Sequence, residues 1–290
     1  MQWKTKITEL LGCRYPILQG ATERIGTWQF AASVAAAGAH GTITGSVSKT
    51  PEKLLADIRS CRKATNESFG VNLSIGICPR IDEMLDVCIA ENVPVETSVY
   101  KPDVLAPRIK KAGLKWIHKA ARIKDAVHAQ ELGVDAIILV GTEGAGIKNP
   151  EQLPTLTTIL WGMRKLSVPL IAAGGIGDAR GFLGALAMGA QGVMMGSALM
   201  TTKECPISNE AKEKMIRLNP DDPEFRKRVL TPRPINKSDN PTLDQGEIDW
   251  SQAVSFAVAG IDRIPSVQEL IQSIISGAED IANSRQFLKK

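Results

Sequence analysis

Aromatic residues are scarce in this sequence, since phenylalanine, tryptophan and tyrosine make up only 4% of its 290 residues. The apolar content of 43% falls mainly on alanine, valine, isoleucine and leucine. Such side chains suit buried parallel strands and closely packed helices better than a β-sandwich. A chain of this length can form one large α/β domain or two small ones.

Cysteines are few, scattered and odd in number, at Cys13, Cys61, Cys78, Cys88 and Cys205. No CxxC pair occurs, which argues against a disulfide framework and against a zinc site. We therefore expect buried, reduced thiols and no metal. The three histidines show no metal-ligand spacing either, and His40 is interpreted as a loop residue.

Long apolar runs and charge blocks are also missing. No run approaches the roughly 18 residues of a membrane span, and the N-terminal MQWKTKITELLG has no signal-peptide core. The net charge is only +4, with acidic and basic residues interspersed. We expect a cytoplasmic protein that acts on a small-molecule substrate. The protein is expected to bind neither membranes nor nucleic acid. Its oligomeric state stays open, with a homodimer as one candidate.

Eight short apolar runs alternate with helical patterns along the chain. The runs span residues 16–20, 41–45, 70–75, 93–99, 115–120, 136–141, 169–174 and 192–197. Glycine often separates a helical pattern from the next run, as repeated βα units require. The repeat predicts an α/β protein with a (β/α)8 TIM barrel. An open doubly wound sheet is the rival, but the first run is followed by QGATERIG rather than a GxGxxG fingerprint.

The helical patterns cover seven segments between the runs, and Thr50 and Pro51 form an N-terminal helix signal in one of them. These segments are residues 28–37, 51–63, 81–91, 104–112, 123–132, 156–166 and 179–188. Further helices are predicted at 208–218 and 266–288.

The polar, proline-rich stretch 202–249 interrupts this order. We expect a barrel of residues 1–201 and 250–290, with 202–249 as an insertion after the eighth strand. The insertion leaves the chain on the face where barrels carry their active sites. A lid over that face and a solvent-exposed excursion fit the sequence equally well.

Two glycine turns stand out, Gly174-Gly175 after the seventh run and Gly196-Ser197 after the eighth. Each precedes a helical pattern. Glycine lets backbone N–H groups approach a ligand, and a helix N-terminus favours an anion. The last two βα units of a barrel often build a phosphate site in this way. We therefore predict a phosphate cup, against the alternative that these glycines are ordinary turn residues.

Asn72 and Lys119 are polar residues at or near the ends of apolar runs. A buried amide needs partners, which a ligand or the protein core could supply. A buried ammonium needs an anion, an electron-rich ring or a neighbouring carboxylate. His118 precedes Lys119, so the two side chains face opposite sides of a strand and only one can reach the site.

The segments PILQG, GVNL, IHKAARIKDAVHAQELGVDAIILVGTEGAG, PLIAAGGIGDARG and MGSALMTTKECPI lie within residues 7–207. In these segments the chain resembles the nitronate monooxygenase (2-nitropropane dioxygenase-like) family, which is allied to the flavin-dependent enoyl-acyl-carrier-protein reductases. The resemblance implies an FMN-binding barrel and an FMN-dependent oxidoreductase of the monooxygenase or enoyl reductase type. It implies that the flavin ring lies along Gly20, Ala21 and Thr22, near Asn72 and Lys119. It also implies that the phosphate and ribityl tail are held by Gly146, Gly174, Gly175, Gly196 and Ser197.

The chain departs from this family after the sixth strand. The family has a histidine in the pattern E-x-x-G-H, which takes a proton from the nitroalkane carbon. Here the segment is Glu143-Gly144-Ala145-Gly146-Ile147, and isoleucine cannot accept a proton. Losing a positioned base costs about 10²–10⁴-fold in rate. No catalytic residue is therefore assigned, and Glu143 and Tyr100 are candidates by position alone.

Two functions remain open. The first is FMN-dependent oxidation of a nitronate, or of a similar carbanion-like small substrate, with O2. The alternative, favoured by Ile147, is an NAD(P)H-dependent FMN reductase of an enoyl thioester or a quinone. NADH or NADPH would then be the reductant. A non-catalytic flavin-binding protein fits less well because the whole cofactor cup is retained.

Overall fold

The computed structural model describes residues 2–99, 101–146, 149–232 and 249–284. Its strands are β1 Ile17–Gln19, β2 Gly41–Thr44, β3 Phe69–Ser74, β4 Val95–Ser98, β5 Trp116–Ala120, β6 Ala136–Val140, β7 Leu170–Ala173 and β8 Gly192–Met195. They form one parallel sheet in the order β1-β8-β7-β6-β5-β4-β3-β2. A parallel bridge between Leu18 and His40 joins β1 to the chain entering β2. The predicted (β/α)8 barrel is therefore confirmed.

The helices are α1 Lys6–Leu11, α2 Trp28–Ala36, α3 Gly45–Ser48, α4 Pro51–Ala64, α5 Ile81–Ala90, α6 Ala106–Ala112, α7 Ile123–Glu131, α8 Thr155–Lys165, α9 Ala179–Ala187, α10 Ser197–Met200, α11 Asn209–Ile216, α12 Pro223–Leu230 and α13 Val267–Asn283. Short 3₁₀ helices span Pro102–Val104, Trp250–Ala253 and Phe256–Gly260. The Thr50 side chain caps α4 by accepting from the Lys53 N–H at 3.2 Å, as predicted. The predicted helix 104–112 is instead a 3₁₀ turn followed by α6, whose first turn contains Pro107.

Alternation along the strands divides the core into two layers. Outward residues such as Val71 and Leu139 pack against the helices. Inward residues, among them Leu18, Ile138 and Ile171, form a separate cluster inside the barrel. All five cysteines are buried and unpaired, which confirms the expected thiols. Burial raises the pKa of four of these thiols to about 12, at Cys13, Cys61, Cys78 and Cys205.

The interpretation of His40 as a loop residue was wrong. Its backbone exchanges hydrogen bonds with β1: the His40 N–H donates to Ile17 O at 2.8 Å, and the Gln19 N–H donates to His40 O at 2.9 Å. The ring is buried, with Nδ1 2.7 Å from Ser68 Oγ. The chain pairs with β1 one residue before β2 begins, so His40 closes the sheet.

The stretch after β8 contains α11 and α12 among its described residues. Ser208 caps α11, which covers most of the predicted helix 208–218. Phe225 of α12 meets Phe256 edge to face at 5.5 Å between ring centroids. The Phe256 N–H donates to Glu143 O at 3.1 Å, in the loop after β6. Residues 233–248 lie outside the described residues, so the domain division stays a prediction.

The C-terminal helix α13 begins where the sequence predicted it, because Ser266 and Glu269 form a capping box at its N-terminus. The predicted end at residue 288 lies outside the described residues. Among the helices that the structure describes, none combines the length and the apolar character needed to cross a membrane.

Candidate active site

Asn72 lies at the centre of a buried polar network inside the barrel. Its Nδ2 donates to Glu96 Oε1 at 3.0 Å and to Ser98 Oγ at 3.1 Å. The Ser74 hydroxyl donates to Asn72 Oδ1 at 2.8 Å. Asn72 is 0% exposed, and these partners on β3 and β4 satisfy its amide fully. The protein core thus supplies the partners that the sequence left open, while a ligand contact of Asn72 stays a prediction.

Lys119 lies on β5, level with Ser98 in the register of the sheet. The carboxylate that its burial requires is Glu96, on the neighbouring strand. Desolvation lowers the pKa of Lys119, and the charge of Glu96 opposes that shift. Desolvation raises the pKa of Glu96 from 4.5 to about 7, although Lys119 and Asn72 both favour its ionised form. Glu96 and Lys119 therefore lie on the inward face of neighbouring strands, where the charge of each favours the ionised form of the other.

His118 faces the other side of β5, as the alternation predicted. Its Nδ1 lies 2.9 Å from Thr97 Oγ1, which also accepts from Trp116 Nε1 at 2.8 Å. Burial lowers the pKa of His118 to about 4, so the ring is neutral near pH 7. Of the His118–Lys119 pair, only Lys119 shares the inward face with Ile117.

Glu96 and Glu23 were missed in the sequence. Glu96 stands two residues before Ser98 in ETS, so strand alternation could have placed it on the same face. Glu23 follows β1, and its carboxyl group accepts from the Ser46 hydroxyl and also contacts the Ser74 hydroxyl. Desolvation raises its pKa. No local signal could have identified Glu23, because its partners follow β2 and end β3.

The segment Gly20–Ala21–Thr22 is fixed at the mouth of the barrel from two sides. The Gly20 N–H donates to Met195 O on β8 at 2.8 Å. The Thr22 N–H donates to Oγ1 of Thr44, the last residue of β2, at 3.3 Å. A Cβ at Gly20 would lie 3.3 Å from Met195 O, so the two strands run close together here. The segment follows β1 between the glycine turns and the polar network.

The two glycine turns lie side by side at the ends of β7 and β8. A Cβ at Gly177 would lie 3.6 Å from the Cβ of Ala198, which links the two turns. Gly175 has φ +73°, a backbone conformation that favours glycine. A Cβ on Gly196 would project into open space, so glycine leaves a cradle there. Within the described residues, the N–H groups of Gly175 and Gly196 donate to no protein acceptor.

The two turns differ in their distance from the helix that follows, although the first of these helices begins at residue 179, as predicted. Helix α9 begins only at Ala179, and the Asp178 carboxylate accepts from the Gly181 N–H at 2.8 Å. This carboxylate occupies the end of the helix that would attract an anion. An anion at the first turn would therefore meet the backbone of the turn itself. At the second turn, α10 follows Gly196 directly but is only four residues long.

Glu143 already has a structural role. Its Oε2 accepts from the Thr155 N–H at 2.8 Å and from the Thr155 hydroxyl at 2.7 Å. Thr155 Oγ1 also lies 3.0 Å from Gly174 O. The carboxylate thus joins the loop after β6 to the first residue of α8 and the turn after β7. Its candidacy as an acid or base stays a prediction. Gly146 has φ +86° beside open space, whereas Tyr100 and Ile147 lie outside the described residues.

Comparison with known proteins identifies related sequences and folds. The family model for nitronate monooxygenase matches residues 4–238. A probable nitronate monooxygenase of Staphylococcus aureus is 28% identical, over 73% of this chain and 72% of that protein. FabK from Thermotoga maritima has a TM-score of 0.84 and 29% identity, covering 98% of this chain and 99% of its own. A nitroalkane oxidase from Streptomyces ansochromogenes shares the fold, with a TM-score of 0.79 and 19% identity over 97% of this chain and 100% of its own.

The shifted pKa of Glu96 predicts a pH-dependent stability. The folded state binds this proton more tightly than the unfolded chain, so the free energy of unfolding falls as pH rises from 4.5 to about 7. Glu96→Gln removes that contribution and keeps an acceptor for Asn72. As the pH rises from 5 to 7, we expect the free energy of unfolding of the unsubstituted protein to fall by about 2 kcal/mol relative to that of the variant.

Urea denaturation of both proteins without added cofactor measures this difference. The lowered pKa values of His40 and His118, about 3 and about 4, act in the opposite direction. Both histidines are present in the two proteins, so their effect cancels in the comparison. If the free energies of unfolding of the two proteins change in the same way with pH, the assignment of the proton to Glu96 would be contradicted.

Proposed function

The chain belongs to the nitronate monooxygenase family and is an oxidoreductase, and from this premise we propose that it binds FMN and oxidises a nitronate or a similar carbanion-like small substrate with O2. The observation that carries the proposal is the pairing of two glycine turns with a polar network on the same rim. The turns suit a phosphate group, and the network suits a polar ring. Bound FMN would supply the electron-accepting chemistry that protein side chains lack.

The phosphate end of FMN is proposed to lie between the turns after β7 and β8. Gly174 and Gly175 offer backbone at the first turn, and Gly196 and Ser197 offer it at the second. The Ser197 hydroxyl oxygen accepts from the Ser255 N–H at 2.9 Å, which orients its own O–H proton away from that contact. Gly146, beside open space after β6, is proposed to line the ribityl tail.

The ring end is proposed to lie toward β3, β4 and β5, with Gly20, Ala21 and Thr22 along it. Lys119 supplies a positive charge at this end. Asn72 lies beneath it, held in one orientation by Glu96, Ser98 and Ser74. Because every polar group of the Asn72 amide already has a partner, we expect it to support the ring by position and to add little binding energy of its own.

The substrate is proposed to arrive as an anion. Ile147 stands where the family resemblance implies a proton-accepting histidine, and an isoleucine side chain cannot remove a proton from a neutral nitroalkane. A nitronate has already lost that proton and needs no such base. The positive charge of Lys119 also favours a negatively charged substrate over a neutral one at the ring.

A second candidate is an NAD(P)H-dependent FMN reductase of an enoyl thioester or a quinone. The apolar Ile147 favours it, because hydride delivery to an electron-poor double bond needs no base at that corner. The likeness to FabK over 98% of the chain is compatible with it. In this case the enzyme would need a proton donor, and Glu23 and Glu96 are the carboxyl groups near the ring end with raised pKa values.

We also propose that α11 and α12 form part of a cover over the catalytic face. The contact of Phe225 with Phe256, and the hydrogen bond from Phe256 to Glu143, attach this stretch to the loop after β6. These contacts favour the interpretation of this stretch as a lid rather than as a solvent-exposed excursion.

Anaerobic titration of the FMN-loaded protein separates the two reactions. Loss of the oxidised flavin absorbance on adding a nitronate alone supports the first proposed reaction, oxidation of a nitronate. Loss of that absorbance on adding NADH or NADPH, with no response to nitronate, supports the second candidate, the NAD(P)H-dependent reductase. A purified protein that neither carries nor takes up FMN would overturn both.

Removal of the Lys119 charge should weaken FMN binding. Loss of a charged contact is worth about 1.5–3 kcal/mol, so we expect Lys119→Ala to raise the Kd for FMN by roughly 10–100-fold. Fluorescence quenching of FMN by the apoprotein measures this constant. Lys115→Ala is the matched control, since Lys115 is exposed at the opposite end of the same strand. Equal affinities for both variants would remove Lys119 from the site.

Introduction of a base should restore activity toward neutral nitroalkanes. With Ile147→His, we expect the rate of nitroalkane oxidation to rise by about 10²-fold or more, while nitronate oxidation changes little. Oxygen consumption with matched nitroalkane and nitronate substrates measures both rates. An unchanged nitroalkane rate would mean that the pocket differs from its relatives at more than this one residue.

A further inference from the structure

Glu96 occupies an unusual place for a carboxyl group. It points into the barrel from β4, two residues below the rim position Ser98, and is 6% exposed. Its Cα partners in the sheet are Asn72 on β3 and Ile117 on β5. The side chain also lines a small cavity inside the barrel together with His40 and Thr42. Such burial penalises an ionised carboxylate unless a cation is close.

The groups around Glu96 leave Lys119 as its counter-charge among the described residues. From the position just before β2, His40 faces the same cavity, but burial lowers its pKa to about 3 and it stays neutral. From β3, Asn72 contributes a neutral amide. From β1 and β6 to β8, the inward residues are apolar: Leu18, Ile138, Val140, Ile171, Ala173 and Met194. At the rim, Glu23 adds a second acidic group that reaches the network through Ser74.

We infer that Glu96 is a proton-accepting counter-charge of the site: it is ionised while Lys119 is its partner, and it binds a proton when a ligand places a negative charge against Lys119 from the mouth of the barrel. This inference rests on the proposed function, in which that negative charge is carried by reduced FMN. It assigns to Glu96 one proton that the proposed function does not account for.

The exchange balances in charge and atoms. NAD(P)H would deliver a hydride to bound FMN and leave as NAD(P)+, whereas a carbanion-like substrate would be oxidised by two electrons and the accompanying proton would come from solvent; in both cases the cofactor would gain two electrons, one proton and one negative charge. The negative charge that results is placed against the Lys119 ammonium. One proton from solvent then converts the Glu96 carboxylate to a carboxylic acid. Reoxidation removes the negative charge and returns this proton to solvent.

The physical reason is that the one half-buried ammonium of Lys119 cannot neutralise two anions. In a weakly polarisable interior, like charges within a few ångströms repel strongly, and protonation of one anion removes the repulsion. Glu96 is the group that yields, because burial already disfavours its charged form. Its pKa of about 7 makes this proton uptake inexpensive near neutral pH.

The test is the pH dependence of the FMN midpoint potential in the holoprotein. Each proton taken up with two electrons steepens this dependence by about 30 mV per pH unit. Above pH 7, we expect the unsubstituted protein to show a slope about 30 mV per pH unit steeper than Glu96→Gln. Asp57→Asn is the matched control: Asp57 is a buried carboxylate on α4, outside the barrel, with Ser48 and Lys53 as partners. This control should have the unsubstituted slope.

A second measurement needs no variant. The reduced-minus-oxidised infrared difference spectrum should contain the C=O band of a newly protonated carboxyl group, and ¹³C-labelled glutamate should shift it. Equal slopes for Glu96→Gln and the unsubstituted protein, or absence of the band, would overturn the inference while FMN binding stands. Failure of the protein to bind FMN at all would overturn the proposed function and this inference together.

Discussion

Closure of the barrel by the backbone pairing of β1 with His40 is the constraint on which the rest of the structure depends. Strand β1 is only three residues long, and it is held on one side by β8 and on the other by this single bridge. Without the bridge, the sheet would have two free edges, and the turns after β8 and the network on β3 would belong to distant ends. With it, every strand end faces one rim, and the segment after β1 connects the two halves of the candidate site.

The interior of this barrel is polar on one side only. On β6, β7 and β8 the inward residues are aliphatic or methionine, whereas on β3 and β4 they are Asn72, Ser74, Glu96 and Ser98. Buried polar groups are costly unless they are bonded, and here they bond mainly to one another. The aliphatic side gives rigidity beneath the glycine turns. The polar side carries the groups whose protonation responds to a nearby charge. The proposed phosphate-binding turns and these titratable groups therefore lie on different strands.

The fold and the glycine turns could be predicted because their signals are local. Apolar runs of strand length, glycine after several of the helices and Thr50 before Pro51 each lie within a few residues of the element that they define. His40, Glu23 and the network around Asn72 could not be predicted in the same way, since their partners lie on other strands or loops and are brought together only when the sheet forms. Asp178 is an intermediate case: its position three residues before Gly181 is a capping signal that was outweighed by the nearby glycines.

The opposite end of the barrel is sealed. Ile7 and Leu11 of α1, with Cys13 behind them, belong to the same inner cluster as Leu18 and Ile138, so apolar side chains fill the N-terminal end. Within the described part of the chain, this end of the barrel is therefore closed, and a ligand of the candidate site would reach it from the rim. A cofactor seated at the glycine turns would be covered by whatever binds after it. With FMN bound at the glycine turns as proposed, the cofactor would have to enter before the substrate and leave after it.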